Sequence, residues 1–156
     1  MVGIGDRFKV LSLGIIIVCT KLFGCEDVFF NNCIDVIKEN WDIQIPAPTE
    51  EVFHESSPIS FNGDGERYHV FEYENEEDII NSSIQWIDSR DNSINAKVQD
   101  IVYDLEAYDD VEIPEEFRPN IKDKYKFYTI SKDDNSNLYL VYIPGTSRIF
   151  VAEDIF

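Results

Sequence analysis

The residues best equipped for chemistry in this chain are few: three cysteines (Cys19, Cys25, Cys33) and two histidines (His54, His69) among 31 Asp and Glu. Histidine beside carboxylates can hold a divalent metal or move a proton. Glu55, Asp64, Glu66 and Glu72 lie close to the two histidines in sequence. Their spacing matches no metal-ligand motif, and histidines facing each other across a hairpin often make only a cross-strand contact. The segment Asn62-Gly63-Asp64-Gly65-Glu66 carries oxygen ligands of the kind calcium loops use. A twelve-residue calcium loop begun at Asn62 meets Arg67 where glycine is required and Tyr73 where glutamate is required. Begun at Asp133, such a loop meets Leu138 at the glycine position. Both stretches read as hairpin turns, and the sequence assigns no metal and no cofactor.

Catalytic motifs are equally scarce. Gly-x-Ser-x-Gly, a P-loop, His-Glu-x-x-His and Cys-x-x-Cys are all missing from the sequence. Cys33 has apolar neighbours and no base near it in sequence, the pattern of a buried small hydrophobe rather than a nucleophile. With 31 carboxylates, the closeness of any two says nothing about acid–base work. The chain reads as a non-enzyme with no catalytic residue.

The aromatics are more suggestive. Eight tyrosines are present, and Tyr125 and Phe127 alternate along one side of an extended stretch, with Lys124, Lys126 and Tyr128 on the other. Tyr139 and Tyr142 follow in the next apolar run. Aromatics favour strands, so ordinary sheet packing explains this pattern. The functional alternative is that Tyr125, Phe127, Tyr128, Tyr139 and Tyr142 form a tyrosine-rich, acid-rimmed binding surface on the sheet face away from the helices.

The elements that must position these side chains follow from periodicity. Phe30, Cys33, Ile34, Ile37 and Trp41 recur at helical spacing over residues 26–41. EVFHESSPISF and ERYHVFEY flank Asn62-Gly63-Asp64-Gly65 as a hairpin, with Pro58 arguing for an edge or a bulge in the first strand. Asn75 can cap a helix carrying Ile79, Ile80, Ile84 and Ile87 on one face, with Glu76, Glu77 and Asp78 in its first turn. Ser93 can cap another, striped by Ile94, Val98, Ile101, Val102 and Leu105. A proline-bounded connector, EIPEEFRPN, leads to KYKFYTI, LYLVYI and RIFVAEDIF. The last two are joined by Pro144-Gly145, placed as in a type II turn. LYLVYI is apolar on both sides and should be central. The expected fold is α+β: a mostly antiparallel sheet of about five strands with two or three helices packed on one face.

The N-terminal segment concerns location. Between Lys9 and Lys21 lie 11 residues, too few for the roughly 20 of a spanning helix but inside the roughly 7–15 of a signal-peptide core. The run closes on Leu22-Phe23-Gly24-Cys25, which resembles the lipobox of bacterial lipoprotein signal peptides, although Lys21 and the bulky Phe23 depart from that pattern. The resemblance implies residues 1–24 as a signal peptide, cleavage before Cys25, and lipidation of Cys25. It implies a single acidic domain, with a short tether, over residues 25–156, held on the extracytoplasmic face of the cell membrane. An uncleaved anchor and a buried N-terminal helix are the other readings, the last weakened by apolar residues pointing all round.

The formal charge is −18, and removing residues 1–24 (Arg7, Lys9 and Lys21 against Asp6) leaves about −20. Such a surface repels nucleic acid and anionic headgroups, so membrane contact would come through acyl chains and a protein partner would be basic. WDIQIP (41–46), FNGDGERYHVFEY (61–73), IPEEFRP (113–119) and LYLVYIPGTSRIFVAEDIF (138–156) resemble segments of small uncharacterised lipoproteins of Gram-positive bacteria. In character the chain is also similar to bacterial immunity proteins, a likeness that transfers no residues. The expected function is a membrane-anchored binding or inhibitor module for a cationic partner. The alternatives are an accessory subunit of an envelope complex and, last, a hydrolytic enzyme.

Overall fold

A computed structural model of the protein describes residues 26–58, 64–89, 92–109, 111–119 and 124–156. The signal-like segment, Cys25, and Asn62 and Gly63 of the first hairpin turn lie outside those residues. A helix α1 (Glu26–Trp41) leads to strands β1 (Glu50–Ser56) and β2 (Gly65–Glu72). A short helix α2 (Glu76–Ile80), strand β3 (Ile87–Ser89) and the long helix α3 (Asn92–Asp109) follow. Strands β4 (Tyr125–Ser131), β5 (Asn137–Tyr142) and β6 (Arg148–Ile155) close the chain. All six strands form one sheet in the order β1-β2-β6-β5-β4-β3, and every neighbouring pair is antiparallel.

The α+β class and antiparallel sheet are as the sequence predicts, with LYLVYI inside the sheet as β5 and Pro58 just beyond the edge strand β1. The expected placement of the helices on one face is corrected. Ile37 and Trp41 of α1 and Ile79 of α2 pack with Phe71, Leu138, Leu140, Ile149 and Val151 on one face. Val98, Ile101, Val102 and Leu105 of α3 pack with Tyr68, Val70, Val141, Phe150 and Ala152 on the other. Strands β2, β5 and β6 are apolar at successive positions, so both of their faces need a cover.

The second predicted helix is shorter than expected, and its tail becomes a strand. Helix α2 stops at Ile80 because the Ile79 carbonyl accepts from the Ser82 hydroxyl at 2.7 Å and from the Trp86 indole N–H at 3.1 Å. Ile87 then pairs with Phe127 as part of β3, the sixth strand. Two turns form as read. Gly145 takes φ +92° behind Pro144, and Thr146 N–H closes the turn onto Ile143 at 3.1 Å. Asn135 takes φ +71° in the β4–β5 turn. At the start of β2, a Cβ on Gly65 would sit 2.6 Å from Ser57 Oγ, the atom that accepts the Glu66 N–H.

Candidate functional site

The five aromatics expected to form a binding face are not together on a surface. Tyr125, Phe127, Tyr139 and Tyr142 are all buried. The first three belong to the core beneath α3, whereas Tyr142 and the half-buried Tyr128 belong to the core beneath α1. Strand alternation sends neighbours to opposite faces, so the five are divided between the two helix-covered faces, and Tyr139 also lines a cavity beside α3. Among the described tyrosines, Tyr103 and Tyr108 on α3 are the exposed ones, at 70% and 64%.

Two polar sites emerge instead, one on each face. On the α3 side, Glu66, Asp100, Asp104 and Asp154 line a cavity of about 290 Å³ together with Lys97, Ile101, Tyr103 and Tyr139. Glu66 and Asp154 are directly opposed across β2 and β6, an arrangement that is unfavourable for like charges. Burial, then the nearby carboxylates of Asp104 and Asp154, push the Glu66 pKa up to about 7. One of its oxygens, Oε2, is buried without a hydrogen-bond partner. Asp154 is raised as well, by burial first; Lys97 opposes the rise and Asp104 adds to it. The cavity thus concentrates negative charge beyond what Lys97 neutralises.

On the α1 side, His69 is the centre of a buried cluster. Its Nδ1 lies 2.7 Å from Glu51 Oε1 and 3.4 Å from Cys33 Sγ. Its Nε2 lies 3.7 Å from Glu153 Oε1, beyond hydrogen-bonding reach. Glu153 is fully buried, and its Oε2 accepts the Trp41 indole N–H at 2.5 Å. Burial pulls the His69 pKa down, but the neighbouring Cys33, Glu153 and Glu51 side chains outweigh it and hold the imidazole well above its usual range. Burial alone would raise the Glu153 carboxyl; the His69 imidazolium and the Trp41 N–H hold it below the usual carboxylate value. Both ring nitrogens face carboxylates, so neither is reserved for the thiol, as a nucleophilic Cys–His pair requires.

Sequence reasoning pairs His54 with His69, and the structure agrees: the two are register partners with ring centroids 6.5 Å apart. It misses the rest. Strict alternation along β1 would place Glu51 and His54 on opposite faces. A bulge between Glu51 and Phe53 shifts the register, so Glu51 stands on the same face as His69 while Val52 and Phe53 both turn to the α3 core. Cys33 reaches His69 from α1 across 36 positions. The sequence clue is that the acidic Glu153 directly follows the apolar run Ile149–Ala152 of β6.

No protein-family model, curated protein or solved structure matches this chain.

Proposed function

We propose that the protein is a lipid-anchored, extracytoplasmic binding module whose α3-side cavity takes a cationic group from a basic protein partner. The single observation that carries this reading is the cavity itself. Glu66, Asp104 and Asp154 are held together against mutual repulsion, with a buried Glu66 oxygen unpartnered. A lysine or guanidinium group entering there gains attraction in a partly desolvated site and relieves repulsion already present. Tyr103 at the lip supplies an aromatic surface for a cation's stem or face. The overall charge of −18 adds long-range steering of a basic partner.

The anchor rests on the Leu22–Cys25 sequence, and no helix among the described residues is long and apolar enough to cross a membrane. Intact mass of the membrane-extracted protein tests it: a chain beginning at Cys25 with added acyl mass is expected, and an unmodified Met1 chain in the soluble fraction overturns the anchor. For the partner, full-length protein in detergent should capture a basic protein whose recovery falls as salt rises. The double substitution Asp104→Asn with Asp154→Asn should abolish that capture. Undiminished recovery by the double variant would sink the cavity as the binding site.

A further inference from the structure

We propose that Cys33, Glu51 and His69 form a zinc-binding site, with Sγ, a carboxylate oxygen and Nδ1 as the protein ligands. One donor atom from each lies within 4.8 Å of the others. Zinc bonds of about 2.0–2.3 Å in a tetrahedron give ligand–ligand edges of roughly 3.3–3.7 Å. The Sγ–Nδ1 separation of 3.4 Å has that length, but Sγ also lies 3.8 Å from Nε2 and so stands beside the ring; binding requires the Cys33 side chain to swing toward the Nδ1 lone pair. The Nδ1–Oε1 separation of 2.7 Å is a hydrogen bond, and exchanging its proton for an ion requires the two atoms to part by about 0.6 Å or more. That movement falls to Glu51, which lies on the edge strand β1 with 15% of its side chain exposed.

Glu153 is the independent observation that points to a ligand. Its side chain is fully buried, Trp41 fixes one oxygen, and the other, Oε1, has no hydrogen bond although it points toward His69 Nε2 at 3.7 Å. An imidazole that binds metal through one nitrogen presents an N–H at the other, and in zinc sites that N–H is usually given to a carboxylate. Glu153 stands where that carboxylate belongs, and a small rotation of the ring closes the gap.

The donor set selects the ion. A thiolate with an imidazole suits zinc and disfavours magnesium or calcium, which take oxygen ligands. Three protein ligands leave the fourth tetrahedral position to water. Cys33 and Glu51 are only partly buried, so an ion reaches them from solvent. Binding displaces the thiol proton and the proton shared between Nδ1 and Glu51, so it tightens as pH rises.

Cobalt(II) is the direct probe, since a thiolate ligand gives a charge-transfer band that zinc then bleaches. In folded full-length protein in detergent, the band should saturate at one equivalent. It should survive in the variant carrying both Cys19→Ser and Cys25→Ser, and vanish in Cys33→Ser. Glu153→Gln should weaken zinc binding about 10- to 100-fold while leaving the thiolate band at saturation. If Cys33→Ser proves unfolded by circular dichroism, Glu51→Gln decides, with a loss of at least about tenfold in zinc affinity expected. Absence of the band from the folded wild-type chain, its persistence in folded Cys33→Ser, or unchanged affinity in Glu51→Gln overturns the site.

Discussion

The two faces of the sheet treat their carboxylates in opposite ways, although the same strands supply both. Beneath α1, Glu51 and Glu153 flank His69, and Trp41 holds Glu153 from the other side. Beneath α3, Glu66 looks across at Asp154, with Asp104 beside them and Lys97 as the cation in the cavity wall. Glu153 and Asp154 are consecutive residues of β6, and one step along a strand moves a side chain from one face to the other. The difference teaches that parity along the strand, more than acidity, decides what each carboxylate does. On one face the carboxylates surround a buried imidazole; on the other they face one another and are open to something that brings positive charge.

The largest expected effect breaks the face that holds the imidazole. Glu153→Ala leaves the Trp41 N–H buried without its acceptor and removes the carboxylate that faces His69 Nε2, which should cost about 3–5 kcal/mol in denaturant unfolding. A loss below about 1 kcal/mol would mean that the cluster is not balanced as described. Next, Phe127→Ala should destabilise by about 3 kcal/mol or more, because its ring is buried in the α3 core. If it weakened partner capture with stability intact, the aromatic-face reading of the sequence would return.

A smaller effect carries a pH signature. Glu66 has its pKa pushed from the ordinary 4.5 to about 7, so the folded state binds this proton more tightly than the unfolded chain. Its contribution is therefore fully present below about pH 4.5 and is lost as pH rises through about 7. Glu66→Gln should raise the melting temperature at pH 8 and leave it nearly unchanged at pH 4; a difference that does not vary with pH contradicts the unmatched cavity. Smallest in stability is Tyr103→Ala on the exposed side of α3, expected within about 0.5 kcal/mol of wild type. It should nonetheless reduce capture of the basic partner, and unchanged capture removes Tyr103 from the surface.

Much of the architecture was legible because local signals agreed. The spacing of Ile34, Ile37 and Trp41 marked α1, whose span matches the predicted 26–41. The stripe from Ile94 to Leu105 marked α3, which starts one residue before the expected cap at Ser93. The type II turn at Pro144-Gly145 formed where φ > 0 was needed and glycine was available. The isoleucine series after Asn75 misled, since side-chain and backbone bonds to Ile79 and Glu77 end α2 early. Ile84 is buried outside any helix, and Ile87 enters the sheet. The double-sided apolar pattern of LYLVYI already required a second covering layer; reading it only as a mark of centrality put the helices on one face.

What the sequence alone determined is its charge, its antiparallel α+β character and the pairing of His54 with His69. These depend on composition and on contacts between near neighbours, which periodicity reveals. Only the tertiary structure decided that α1 and α3 lie on opposite faces, that the predicted aromatics are core, and that Cys33, Glu51, His69 and Glu153 meet. The physical reason is that a bulge at Val52 and a crossing of the sheet by the chain leave no periodic trace, yet together they set which side chains share a face.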